Sequence, residues 1–172
     1  MEKELFKELY LYELSRKEEL TGRVTILLTA VTVVGAVVGS LLEAHPISGD
    51  VLSLIFGSLL ILAIFFYGSS VYYLTRLYTG YTYKAIPTPA KLQAYYQELV
   101  TFYTENPEEK GGAREKFQTY INKRYAEATE VNALNNEAKA AYHAKALRAL
   151  IFVLLFLSLA AVPHLLKKPI LP

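Results

Sequence analysis

The side chains in this sequence most able to do chemistry stand far apart. Its three histidines, His45, His143 and His164, fall in three separate stretches, and the chain has no cysteine. Neither metal-ligand spacing nor a thiolate is on offer. No glycine-rich phosphate loop, nucleophile elbow or pair of acids inside an apolar run is present. The sequence therefore points away from an enzyme and predicts no cofactor or metal.

What remains is a set of hydroxyls, small residues and amides at helical spacing. Thr25, Thr29 and Thr32 share one helix face at intervals of 4 and 3. Such a stripe suits the lining of a narrow pore, or else bonds back to the helix's own carbonyls one turn earlier. Gly35 and Gly39 form a GxxxG element extended by Ser40, and Ser53 with Gly57 repeats the small-xxx-small pattern in the next apolar run. Faces of this kind let helices approach closely, within one chain or between copies. Tyr95, Tyr96 and Tyr103, with Asn132 and Asn135, mark a candidate face for a cytoplasmic partner on two more polar helices. The asparagines, Asn136 among them, are suited to setting helix register or lining a polar site.

The elements that must position these residues are dominated by apolar runs. Hydrophobic residues make up 53% of the 172 positions, and the mean hydropathy is +0.24, high for a soluble domain of this size. Residues 24–42 and 51–75 contain no Asp, Glu, Lys or Arg. Each exceeds or approaches the roughly 20 residues needed to cross about 30 Å of hydrocarbon. Between them, "EAHPISGD" (residues 43–50) reads as a tight hairpin turn, with Ser48 and Asp50 suited to capping the next helix. A third run, 149–166, is just long enough to span, although Pro163 shortens its ideal helical part. The fold expected is an all-α integral membrane protein: a two-span hairpin, a third span, and a cytoplasmic helical region.

The expected division is an amphipathic helix over 1–23, the hairpin over 24–75, a helical region over 76–148, the third span and a tail over 167–172. Within 2–20, Leu5, Leu9, Tyr12 and Leu20 form the apolar stripe. A second amphipathic helix covers 90–104. A third helical pattern runs without Gly or Pro from 113 to 162, about 75 Å at the α-helical rise. Its stripe is Phe117, Ile121, Ala128, Val131 or Asn132, Asn135, Ala138 and Tyr142. No cleavable signal peptide is expected before the first span.

Charge sets the expected orientation. The turn at 43–50 carries no Lys or Arg, whereas five precede the first run and eleven lie between 76 and 148. By the positive-inside rule both flanks, the N-terminus and residues 76–148, are cytoplasmic and the turn lies outside. The net charge of +2, with acids interleaved among the bases, argues against nucleic acid as a partner. Uncharged spans argue against a secondary transporter.

The order of parts, "YLYELSRKEELTGR" leading directly into a two-span hairpin, loosely resembles the SLATT-type small bacterial membrane proteins over about residues 5–76. The third apolar run departs from that pattern, and no functional residue carries over. The resemblance implies a pore-forming or membrane-disrupting effector of anti-phage defence. Two functions are accordingly expected from the sequence. One is an oligomeric inner-membrane effector, a pore or channel that collapses the membrane potential, its cytoplasmic helices sensing a protein partner or a small signalling ligand. The alternative is a non-conducting anchor or scaffold that docks a soluble partner.

Overall fold

The computed structural model of the protein describes residues 2–44 and 49–167. Four helices account for nearly all of them: α1 (Glu2–Ala44), α2 (Val51–Tyr78), α3 (Pro89–Glu105) and α4 (Ala113–Lys167). There is no strand among the described residues. Three of the helices, α1, α2 and α4, are long and apolar enough to cross a membrane.

Local chemistry sets most of the helix ends. The Asp50 carboxylate caps α2 by accepting from the Ser53 amide at 2.8 Å, satisfying one of the first-turn N–H groups that have no partner inside the helix. At the other end the Thr79 amide closes on the Thr75 carbonyl, and Gly80 at φ +90° takes the chain away. Only glycine adopts that conformation without strain. Pro89 opens α3, where its missing N–H costs nothing.

α1 runs unbroken through Gly22 as one helix of 43 residues; a single exposed glycine costs only about 1 kcal/mol. Two expectations change. Pro163 does not end α4, which continues to Lys167, since the one helix bond it removes lies close to the helix end. The second correction concerns the stripe on the start of α1. Leu5, Leu9 and Tyr12 are exposed, and the buried face carries Tyr10, Glu13 and Leu20. Tyr10 packs on Tyr125 of α4, with ring centroids 5.5 Å apart, and Glu13 is held by Asn136. These specific pairings decide the face in place of hydrophobicity. The turn residues His45, Pro46, Ile47 and Ser48 lie outside the described residues, as does the tail beyond Lys167.

The chain divides into two compact units. The charged unit comprises residues 2–19 and 81–137, and the apolar unit residues 20–44, 49–80 and 138–167. Residues 138–148, expected to belong with the polar helices, pack with the apolar ones. Ala146 is the reason, being wholly buried in the same cluster as Leu77 and Val153.

The apolar unit is a three-helix core in which each helix contributes residues at alternating intervals of 3 and 4. These are Val24, Leu27, Val31, Val34 and Val38 from α1, Phe56, Leu60, Ala63, the half-buried Tyr67, the buried Ser70, Leu74 and Leu77 from α2, and Ala146, Leu150, Val153, Leu157 and Ala160 from α4. This spacing keeps one seam of each helix facing its neighbours. Ala63, Ala146 and Ala160 have no exposed surface, so these helices touch nearly backbone to backbone there. The outward faces are also apolar: Ile26, Ile61 and Phe65 are each about two-thirds exposed or more. Helices apolar all round are built to be covered on every side.

Candidate functional site

In the charged unit, the non-helical segment 81–88 is held on α4 by three asparagines. Asn132, fully buried, accepts from the Lys84 amide at 2.9 Å and donates to the Lys84 carbonyl at 3.1 Å. Asn135 donates to the Thr82 carbonyl at 2.9 Å. Asn136, also fully buried, accepts the Tyr83 hydroxyl proton at 2.6 Å and donates at 2.8 Å to both the carbonyl and the carboxylate of Glu13. A carboxamide carries the donor and acceptor of a peptide group, so it can satisfy a buried main chain that has no helix of its own.

Charged groups close around this clamp. The Lys84 ammonium donates to the Glu127 carboxylate at 2.8 Å, and Arg124 reaches the same oxygen at 3.4 Å. The hydrogen bond from Lys84 is the main reason the Glu127 carboxyl titrates below its ordinary value. The Arg124 guanidinium lies over the Tyr120 ring at 5.0 Å, and its hydrogen bond to Tyr120 chiefly raises its already high pKa. Burial pushes the Tyr83 phenol up, helped by Tyr81 and by the Glu13 carboxylate. Lys17 sits 4.6 Å from the centre of the Tyr83 ring.

The candidate partner face divides. Asn132 is buried and both its amide atoms are engaged inside the unit, so it offers no surface to a second molecule; Asn135 remains half-buried. Tyr95 packs on Tyr120 at 4.4 Å and on Phe117 at 6.5 Å, Tyr96 meets Phe117 edge-on at 5.2 Å, and Tyr103 lies against Phe102. All three rings are half-buried, and Tyr95 and Tyr96 fasten α3 to the start of α4. Leu5, Leu9 and Tyr12 add an exposed apolar strip to the same unit.

In the apolar unit the small residues have different surroundings. A side chain on Gly35 would overlap the Tyr67 hydroxyl, with the ring carbon behind it only 3.0 Å away. Gly39 and Gly57 face open space. Ser53 is buried and joins Gly57 in lining an apolar groove of about 350 Å³ beside Leu41 and Phe56. The hydroxyls of Thr25, Thr29 and Thr32 donate to the carbonyls four residues earlier, at 3.5, 3.1 and 3.0 Å, and all three residues lie on the exposed face of α1.

Several functional contacts were not singled out from sequence. Glu13, Tyr83 and Lys84 join the asparagine clamp across separations of 48 to 123 residues, which no local spacing signals. Ser70 donates to the Ala146 carbonyl at 3.1 Å and is wholly buried between α2 and α4. Arg76, Lys145, Tyr73 and Tyr142 form a further cluster in the apolar unit. Among the described residues no three His, Asp or Glu side chains converge as metal ligands would; His143 is half-buried on α4.

The chain matches no protein-family model, no curated protein and no solved structure.

Proposed function

We propose that the chain is an integral membrane protein that crosses a bacterial inner membrane three times, with its N-terminus and residues 76–148 cytoplasmic, and that it serves as an anchor docking a soluble partner on its charged unit. The observation that carries the membrane reading is the division of the chain. Residues 2–19 and 81–137, which the distribution of Lys and Arg assigns to one side, fold together into one unit, while the apolar helices make up the other. A hairpin of two crossings returns the chain to the side it left, as that grouping requires.

The docking role is supported by the closed interior of the apolar unit. Among the described residues its buried side chains are apolar apart from Ser53 and Ser70, an interior with little to solvate an ion inside a single chain. The exposed Leu5, Leu9 and Tyr12 and the half-buried Tyr95, Tyr96 and Tyr103 supply apolar surface on the charged unit for a partner.

One observation favours the second reading, an oligomeric pore-forming effector. The hydroxyl stripe of Thr25, Thr29 and Thr32 faces outward on α1 and leads to the open face of Gly39. In a ring of copies that stripe would line the space between chains.

The absence of cysteine makes the topology directly testable. Single substitutions Ser15→Cys, Gly49→Cys and Thr101→Cys, probed with an impermeant maleimide on intact cells, should label only at position 49 until the membrane is opened. Recovery of the protein in the soluble fraction without detergent would overturn the membrane reading. Detergent-corrected light scattering and ion flux in liposomes separate the two roles. A monomer or dimer without flux supports the anchor, and a ring of four or more chains that conducts supports the pore.

A further inference from the structure

Charge in the apolar unit is distributed unevenly along its helices. Its only acids are Glu43 and Asp50, which flank the loop between α1 and α2. The opposite end, where α2 finishes and the apolar part of α4 begins, carries Arg76, Lys145 and Arg148. Lys145 and Arg148 are exposed, and no described carboxylate lies within ion-pair distance of either. The contacts of Lys145 are with rings: its ammonium lies 5.3 Å from the centre of Tyr142 and 5.9 Å from that of Tyr73. Arg76 covers the same Tyr142 ring at 5.7 Å.

Beside these cations a groove of about 320 Å³ opens between α2 and α4, with Lys145 and Arg148 lining it together with Tyr73, Phe65, Phe66 and Phe152. Phe66 stacks on Phe152 at 4.9 Å and on Phe156 at 5.6 Å, giving the groove a rigid apolar floor, while Phe65 is 65% exposed at its edge. The groove thus has cations at one end and hydrocarbon along the rest of its length.

We propose that this groove between α2 and α4 binds an anionic phospholipid, its phosphate held by Lys145 and Arg148 and an acyl chain lying on Phe65, Phe66 and Phe152. The inference rests on the membrane reading above. Charge complementarity selects the ligand. Lys145 and Arg148, exposed and with no described carboxylate within ion-pair distance, attract a net negative headgroup, each contributing about tenfold or less in affinity at a membrane surface. The choline of a zwitterionic lipid would bring another positive charge to a cluster that already holds Arg76. The aromatic floor selects a lipid over free phosphate, which would leave that apolar surface uncovered. Tyr73 and Tyr142 present their faces to the cations, which keeps Lys145 at the groove mouth.

The test is native mass spectrometry of the full chain released from nanodiscs of equal parts phosphatidylglycerol and phosphatidylcholine. The wild type should retain phosphatidylglycerol in preference to phosphatidylcholine. The double variant Lys145→Gln/Arg148→Gln should retain it roughly tenfold less or weaker. Lys145→Arg/Arg148→Lys should keep the preference, and Lys91→Gln/Lys116→Gln on the charged unit should leave it unchanged. Equal retention by the double variant, an equal loss in the charged-unit control, or displacement of the lipid by millimolar inorganic phosphate would overturn the site while leaving the membrane reading intact. A protein that never enters the nanodisc overturns both.

Discussion

Asn132 pairs with Lys84 as one peptide group pairs with another, accepting from its amide at 2.9 Å and donating to its carbonyl at 3.1 Å. The two residues are 48 positions apart, and the asparagine has no exposed surface. A helix side chain here does the work of a neighbouring strand, satisfying a stretch of main chain that belongs to no helix. With Asn135 and Asn136 it ties the connection between α2 and α3 to α4, so the rigidity of the charged unit depends on amide chemistry as much as on apolar contact.

Asn132→Leu keeps the volume and removes both hydrogen bonds, leaving the part-buried Lys84 amide and carbonyl without these partners. We expect a loss of about 2 kcal/mol or more. Asn135→Ala, at a half-buried site with a single bond, should cost about 1 kcal/mol or less. Thermal or denaturant unfolding of the two variants in the same detergent gives the comparison, and equal costs would refute a special role for Asn132.

The clamp should also shape the dependence of stability on pH. Glu127 titrates below its ordinary value because Lys84 donates to it. Its contribution is therefore complete above about pH 5 and lost as pH falls through the folded-state value. The gap in stability between wild type and Glu127→Gln should be constant from neutral pH down to about pH 5 and close below that. Tyr83 behaves oppositely: burial raises its pKa, so its hydrogen bond to Asn136 contributes below about pH 10 and is lost as pH rises through the folded-state value. Tyr83→Phe should abolish that alkaline loss.

Gly35 and Gly39 should part company on substitution. Gly35→Ala meets the Tyr67 hydroxyl and should destabilise the chain by about 1–3 kcal/mol, as overpacking does, with recovery in Gly35→Ala/Tyr67→Leu. A Cβ on Gly39 meets nothing in its own chain, so Gly39→Ala should leave unfolding unchanged. If copies associate through this face, Gly39→Leu alone should lower the particle mass measured by light scattering.

Ala146 has no exposed surface, and its carbonyl accepts the Ser70 hydroxyl. Ala146→Leu should force α2 and α4 apart and cost about 1–3 kcal/mol, whereas Ser70→Ala should cost only about 0.6 kcal/mol, typical of hydrogen bonds between apolar helices. A Ser70→Ala cost equal to that of Ala146→Leu would show that polarity, not close packing, holds this pair.

The sequence by itself determined the helical class, the three apolar stretches and most helix ends, because each depends on near neighbours. Uncharged runs, the Asp50 cap, Gly80 and Pro89 all act within a turn or two of where they stand. The hydroxyl stripe on α1 is likewise local, since each of its threonines bonds one turn back. Only the tertiary structure decided which face of α1 is buried in the charged unit, where Tyr10 and Glu13 displace the apolar stripe of Leu5, Leu9 and Tyr12. It alone decided that Asn132 and Asn136 are interior, and that Gly35 is occupied by Tyr67 while Gly39 is open. The physical reason is common to all of these. A buried polar group must find a partner of matching geometry, and a close approach must find a particular side chain opposite. In this protein those partners lie tens of residues away, where helical periodicity carries no information about them.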